Sequence, residues 1–180
     1  SAVTNIKIDT MAASKLTGAL PAIDGSALTG VGVSVARVSE TISTASAGTF
    51  TASAWQTRAL NTEDFDPDNI VTLSSNQFTL GAGKYLCYFD ASAFKVARHT
   101  AKIYNITDSA NAAIGLAAYS ASTLDLNSVS SGFGFINITG SKVFELQHYA
   151  TTTKTTNGLG SGTVTLAPNT FSSVTIIKVG

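Results

Sequence analysis

The pattern of apolar and polar positions changes once along the chain, close to residue 36. Beyond that point, β-branched and aromatic residues alternate with small polar residues, and turn-forming residues recur at short intervals. Alternation with a period of two is typical of strands with one buried face, and many short strands are typical of a sandwich or barrel. No long segment has the period of a helix. The pattern therefore predicts an all-β domain over residues 37–180.

The candidate strands lie between clusters of Gly, Asn, Asp and Ser. They cover residues 37–45, 55–60, 70–73, 77–80, 84–93, 99–107, 112–119, 133–139, 142–150 and 171–179. The last segment has apolar residues on both faces, which predicts a central strand. Two alternating segments meet around Gly140, which predicts a hairpin. The strand number is close to that of an antiparallel jelly-roll sandwich with eight strands.

Residues 1–36 differ from the rest because they contain no aromatic side chain; the first is Phe50. The sequence Ser-x-Leu-Thr-Gly occurs twice, at residues 14–18 and 26–30, with few other apolar residues nearby. One copy of this segment buries too little apolar area to offset an ordering cost of about 1–2 kcal/mol per residue. We therefore expect a short extended stalk over residues 1–36 that packs against other copies of itself.

The composition indicates an assembly. Only 12% of the residues are charged, against about 25% in an average domain, and the formal net charge is zero. A lone domain with such a surface tends to self-associate, so we expect a permanent homo-oligomer. The absence of a basic excess argues against nucleic acid as a partner. The apolar runs are far shorter than the roughly 18 residues that a membrane helix needs, so no membrane insertion is expected.

Groups that could hold a metal ion are few. Residues 63–69 alternate carboxylates, as calcium loops do, but counting from Asp64 the sixth and twelfth positions hold Asn69 and Ser75 instead of the Gly and Glu of an EF-hand. A solvated turn is the better interpretation. His99 and His148 are the only histidines, too few for a zinc site in one chain. They are predicted to be ordinary strand residues, with a site on a symmetry axis as the alternative. We predict no metal and no cofactor.

Catalytic patterns are also missing. Glycoside cleavage needs two carboxyl groups close together, and nothing in the sequence brings Asp125 and Glu145 together. Glu145 alternates with apolar neighbours, which predicts a solvated or interface carboxylate. The sequence has no phosphate-binding glycine loop, nucleophile elbow or paired CxxC. Cys87, the only cysteine, lies in an apolar run and is predicted to be buried and inert. The chain is therefore not expected to be an enzyme.

Residues 20–30, Leu-Pro-Ala-Ile-Asp-Gly-Ser-Ala-Leu-Thr-Gly, resemble a linker in tail fibres of tailed bacteriophages that precedes a C-terminal tip domain. Residues 55–61, 78–85, 140–143 and 175–180 are similar to phage tip domains of the tumour-necrosis-factor-like (TNF-like) or complement-globular-head type. The resemblance implies a homotrimeric jelly roll at the fibre tip of a virion, assembled in the host cytoplasm. Its partner would be a bacterial surface glycan or an outer-membrane receptor. A structural trimerisation or capsid-decorating module and, third, a polysaccharide-degrading enzyme are the alternatives.

In an antiparallel fold, successive loops alternate between the two ends of the sandwich, and this alternation predicts which loops are free to bind. In an antiparallel jelly roll above a stalk, the loops at residues 81–83, 108–111 and 140 fall at the base. The loops at residues 63–69, 94–97, 120–130 and 151–169 then fall at the tip. Long loops on a rigid scaffold are usual binding sites, and uncharged polar loops with a few aromatics suit carbohydrate. The predicted receptor-contact residues are Tyr119, Asp125, Asn127, Tyr149, Lys154 and Asn157.

Overall fold

The structure is a computed structural model that describes residues 32–163 and 168–179, so nearly all of the predicted stalk lies outside it. Every regular element in these ranges is a strand. The strands are β1 (Ser34–Ile42), β2 (Gln56–Thr57), β3 (Thr62–Phe65), β4 (Val71–Ser74), β5 (Gln77–Leu80), β6 (Gly83–Phe94), β7 (Ala97–Asn105), β8 (Ala110–Ile114), β9 (Ala118–Ser120), β10 (Asn127–Ile138), β11 (Lys142–Ala150) and β12 (Asn169–Lys178). In the described part of the chain, no helix could cross a membrane.

The strands form two antiparallel sheets. The first has the order β10-β6-β12-β1-β3, and the second has the order β4-β5-β11-β7-β8, with β2 beside β11 and β9 beside β7. Strands β1, β12, β6 and β10 face β5, β11, β7 and β8, which is the arrangement of an eight-stranded jelly roll. Strand β12 lies between β6 and β1, which confirms that it is a central strand. The predicted all-β antiparallel jelly roll is thus confirmed.

The alternating pattern located most strands well, and its errors have clear causes. Strand β3 was missed because its residues are mostly polar; it is an edge strand tied to β1 by an ion pair between Arg37 and Asp64 at 2.8 Å. The segment predicted at 112–119 is two strands. Between them, the amide of Leu116 donates to the carbonyl of Ser131, which belongs to the other sheet.

The core lies between the sheets and is built from the inward faces of their central strands. Phe78 and Phe144 stack with ring centroids 5.5 Å apart, and each fully buried side chain of this kind contributes about 1.5–3 kcal/mol. Cys87 is fully buried beside Ile176, as predicted. Burial raises the pKa of its thiol to about 12, so the thiol stays protonated and acts as a small apolar group.

The two ends of the sandwich carry different loops. The base, where β1 begins and β12 ends, gathers the loops near residues 81–83, 106–109 and 139–141, and Lys142 pairs there with Asp108 at 2.5 Å. The tip gathers the loops near residues 94–97, 120–127 and 150–163. One loop was assigned to the wrong end. The acidic turn runs towards the base, because Val71 pairs with Leu80, and the Asp66 carboxylate closes it by accepting from the amides of Ile70 and Val71.

Candidate functional site

Four of the six predicted contact residues come together at the tip. Asp125 is exposed and forms an ion pair with Lys95 at 2.6 Å, which lowers the pKa of its carboxyl group. Lys154 lies in the neighbouring loop, where its backbone pairs with that of Phe50. The tip therefore presents mixed charges and amides rather than a field of one sign.

The two asparagines of this group also hold the tip loops in place. The Asn127 amide donates to the carbonyl of Ser161 at 2.5 Å, and its oxygen accepts from the Ser161 amide at 3.0 Å. Asn157 donates to the Ser161 hydroxyl at 3.5 Å, and its side-chain oxygen is buried without a hydrogen-bond partner. Asn127 remains exposed beside these bonds, whereas Asn157 is half-buried.

The two predicted tyrosines lie elsewhere, on the outer face of the second sheet. Tyr119 is 59% exposed and sits opposite Arg98 on the adjacent strand. Tyr149 is half-buried, and its ring centroid lies 5.5 Å from that of Trp55. The structure thus brings Asp125, Lys154 and the asparagines together and places the tyrosines on the adjoining flank.

The outer face of the first sheet is unusually apolar. Five large side chains on it are about half exposed: Phe65, Tyr88, Val129, Phe133 and Phe135. We call this surface the assembly face. The rings of Tyr88 and Phe133 are 4.8 Å apart and border a cleft of about 430 Å³ that Ile114 and Leu116 also line. Tyr88, Phe133, Phe135 and Val129 form a patch on β6 and β10, whereas Phe65 lies apart on β3, beyond Thr175 and Arg37. Exposed apolar patches of this kind mark surfaces that contact other proteins.

The alternation of inward and outward positions along β10 could have located the assembly face from the sequence alone. In β10, glycines alternate with aromatics, and the glycines point inwards. A Cβ atom on Gly132 would lie 2.0 Å from the Phe89 ring, so only glycine fits against that buried side chain. Phe133 and Phe135 are consequently turned out to solvent. Small residues at the inward positions therefore indicate that the large apolar residues between them point outwards, which hydrophobicity alone does not show.

A buried ion pair connects the sheets near the tip. Arg58 is fully buried, and its Nε donates to Oε2 of Glu40 at 2.8 Å. Its other nitrogens donate to the carbonyls of Ser92 at 3.0 Å and Leu159 at 2.8 Å. The Glu40 carboxylate also accepts from the Ser172 hydroxyl, while its Oε1 has no hydrogen-bond partner. Burial lowers the pKa of Arg58, and Glu40 opposes that shift.

The two histidines extend this chain of hydrogen bonds. Arg58 can only donate, so Nδ1 of His148, 3.4 Å from it, must accept. His148 then carries its proton on Nε2 and donates to Nδ1 of His99 at 2.9 Å, and His99 donates through Nε2 to the hydroxyl of Ser128 at 2.6 Å. Both rings are neutral in this arrangement. Burial first, and then the charge of Arg58, lower the pKa of His99 to about 4 and that of His148 well below its usual value.

Both histidines lie on strands, as predicted, but they are hydrogen-bonded to each other between the sheets. Because both are buried there, they cannot form a surface site on a symmetry axis. Among the described residues, no group of three His, Cys, Asp or Glu side chains is placed to hold a metal ion.

The two acids considered for glycoside cleavage lie apart in the fold. Asp125 is in a tip loop, whereas Glu145 lies midway along β11, opposite Tyr104 of β7. Of the two predicted environments, solvated or at an interface, the solvated one is wrong, because Glu145 is only 8% exposed within the chain. It accepts a hydrogen bond from the amide of Gln147.

No protein-family model matches the sequence, and no curated protein matches it. Solved structures resemble the fold. Murine APRIL superposes with a TM-score of 0.53 and 8% identity, covering 82% of this chain and 100% of that chain. Eiger TNF from S. frugiperda superposes with a TM-score of 0.54 and 11% identity, covering 82% of this chain and 93% of that chain. The PRD1 vertex protein P5 superposes with a TM-score of 0.49 and 15% identity, covering 82% of this chain and 97% of that chain. The superpositions on APRIL and Eiger TNF show that the described domain is a TNF-like jelly roll, and at these identities the likeness concerns the fold alone.

Proposed function

We propose that the chain is a homotrimeric virion protein, the receptor-binding tip of a phage tail fibre, that attaches to a bacterial surface molecule. The observation that carries the proposal is the assembly face. Its half-exposed aromatics lie at both edges of the first sheet, on β10 and its neighbour β6 at one edge and on β3 at the other. A chain with so much exposed apolar surface and few charges needs copies of itself to cover that surface.

The arrangement of the assembly face suits a closed ring. Apolar side chains at opposite edges of one sheet let β10 of one copy pack beside β3 of the next, and such a head-to-tail contact forms a ring when the rotation closes. The number three follows from the resemblance to phage tip domains, and residues 1–36 would form the stalk beneath the trimer. The likeness to TNF-like folds is consistent with this number.

The tip and its adjoining flank would contact the receptor. The residues concerned are Tyr119, Asp125, Asn127, Tyr149, Lys154 and Asn157. They lie opposite the base, where β1 begins and from which the stalk would extend. The loops that carry most of them are held by hydrogen bonds between loops, which gives a rigid surface for recognition.

Two measurements test the proposal. Light scattering of the purified chain should give three times the mass of one chain, and fluorescently labelled protein should adsorb to cells of a host strain. A monomer at micromolar concentration would contradict the assembly. A trimer that adsorbs to no strain in a broad panel would favour the alternative of a structural or capsid-decorating module. Release of reducing sugar from host polysaccharide would instead identify an enzyme.

A further inference from the structure

An aromatic cluster covers a buried lysine on the outer face of the second sheet. We call it the Trp55 cluster. Its members are Trp55, Lys102, Tyr104, Glu145 and Tyr149. Trp55 immediately precedes β2, and β2 pairs with β11 at residues 147 and 148, close to the tip end of that strand. The cluster therefore lies on the flank that runs up to the tip loops.

Lys102 is the centre of the cluster. Its Nζ lies 4.0 Å from the centroid of the Trp55 ring and 4.7 Å from that of Tyr104. It donates a hydrogen bond to Oδ1 of Asn111 at 2.8 Å, and the residue is only 7% exposed. Cation–π contacts of this kind contribute about 0.5–2 kcal/mol, more when the cation is shielded from water.

The charges of the cluster are balanced within it. The Glu145 carboxylate attracts the Lys102 ammonium and opposes the lowering of the lysine pKa by burial. Both side chains are less than one-tenth exposed, so neither offers a free charge to a ligand. This balance disfavours an ionic ligand on the cluster and favours an uncharged one, because the cluster itself offers no unpaired counter-charge.

Trp55 supplies the exposed part of the cluster. The Lys102 ammonium lies over its ring, and Tyr149 packs against it at an interplanar angle of 51°. With these contacts made, 41% of the residue remains exposed. An indole that is fixed from below and still open to solvent is a preorganised stacking surface, and little entropy is lost when a ligand covers it.

We propose that the Trp55 cluster is a binding subsite for a neutral glycan beside the tip loops, with a pyranose ring stacked on Trp55 and Tyr149. A neutral pyranose combines an apolar face of C–H groups with a rim of hydroxyls. The C–H face matches the electron-rich face of an indole, and the hydroxyls match the uncharged polar side chains of Thr57 and Gln147 beside the cluster. The inference names the ligand class for the proposed attachment function and rests on it. Tyr149 links the cluster to the tip residues.

The chain offers a direct probe, because Trp55 is its only tryptophan. The assembled protein is titrated with neutral oligosaccharides that end in glucose, galactose or N-acetylglucosamine, and with sialylated and sulfated ones. We expect at least one neutral oligosaccharide to shift the tryptophan emission saturably, and the acidic ones to leave it unchanged. In a calorimetric titration of that sugar, Trp55→Ala should weaken binding at least tenfold, and Trp55→Phe should lose less because a ring remains.

The control is Val179→Ala, which removes an exposed apolar side chain at the base. It should bind the sugar as the unaltered protein does. The proposal is overturned if no neutral sugar binds, if an acidic one binds instead, or if Trp55→Ala binds with unchanged affinity. If the trimer still adsorbs to host cells in those cases, only the glycan site is wrong. A trimer without adsorption would remove the attachment function itself.

Discussion

Nε2 of His148 donates a hydrogen bond to Nδ1 of His99 at 2.9 Å, inside a sandwich whose other core contacts are mostly apolar. The pair lies on β11 and β7 of the second sheet, and Arg58 connects it to Glu40 on β1 of the first. A continuous polar path therefore crosses the core near the tip. Because every link depends on its neighbours, the path should fix the relative position of the two sheets beneath the tip loops.

The histidine pair predicts that the fold is sensitive to mild acid. Burial and Arg58 lower the pKa of His99 to about 4, whereas an unfolded histidine has a pKa of about 6.5. Between these values the unfolded chain binds more protons, so stability should fall as the pH is lowered from about 6.5 and level off near 4. At 1.36 kcal/mol per pKa unit, His99 contributes a loss of roughly 3 kcal/mol.

Urea unfolding measured at intervals from pH 7.5 to pH 5 checks this dependence. This window lies above the ordinary carboxyl pKa values of about 3.9 and 4.3, so the slope reports mainly the histidines. The groups that face the pair are Arg58, Glu40 and Ser128. A His99→Gln variant is less stable at pH 7.5 but should show a clearly shallower slope. Equal stability of the unaltered protein at pH 7.5 and pH 5 would refute the account.

A second prediction concerns the buried ion pair. Arg58→Met leaves the Glu40 carboxylate buried without its counter-ion and should cost about 3–5 kcal/mol of unfolding free energy. Adding Glu40→Gln should recover most of that loss, since the uncompensated charge disappears. The matched control is Arg37→Met, because Arg37 forms an exposed pair with Asp64 and its loss should cost less than about 1 kcal/mol. Similar losses for the two arginine variants would contradict the role given to burial.

Much of the fold could be predicted from the sequence because alternation reports burial directly. It located β5 and β11 at the residues where they are found, and it identified β12 as central. The interior polar path could not be predicted. It depends on Arg58, which lies just after a short strand and enters the core only because Glu40, Ser92 and Leu159 supply its partners.

The candidate sites were predictable only in part, for a similar reason. Asp125 and Lys154 were found because loops of one parity meet at one end. Lys102 and Glu145 were not, because charged residues on a strand are expected to be solvated, whereas here Trp55, from a segment distant in sequence, lies over the Lys102 ammonium. Contacts between segments far apart in sequence leave no trace in local periodicity.

The assembly face gives a prediction about oligomeric state. Replacing both Tyr88 and Phe133 by Ser removes two of the large side chains at its centre, and interface aromatics of this kind usually dominate binding energy. Light scattering should then give the mass of a single chain. Tyr119→Ser is the matched control, since Tyr119 is equally exposed but lies on the opposite sheet, and it should remain a trimer. A trimeric double variant would place the contact elsewhere.

Cys87 gives a test of core integrity. Because burial raises the pKa of the thiol to about 12, almost no thiolate is present at neutral pH. A thiol reagent should label the native protein far more slowly than the protein in concentrated urea. Fast stoichiometric labelling of the folded trimer would show that β6 opens readily. The rate in urea is the internal control, since it reports the reactivity of the unprotected thiol.

The last prediction concerns the tip residues. Replacing Asp125, Lys154 and Asn157 together by Ala removes a carboxylate, an ammonium group and an amide that lie on neighbouring loops. Asp125 is exposed, and Lys154 is held in its loop through its backbone, so losing these two side chains should affect the receptor contact more than the fold. Asn157 also contacts Ser161, so circular dichroism and the trimer mass must be unchanged before adsorption is compared.

We expect adsorption to host cells to be abolished in the triple variant. A control with Asp64→Ala alone, an exposed acid on β3 away from the tip, should adsorb normally. If the folded triple variant adsorbs as the unaltered trimer does, the tip loops do not contact the receptor. Attachment would then depend on the flank around Trp55 or on the sides of the trimer.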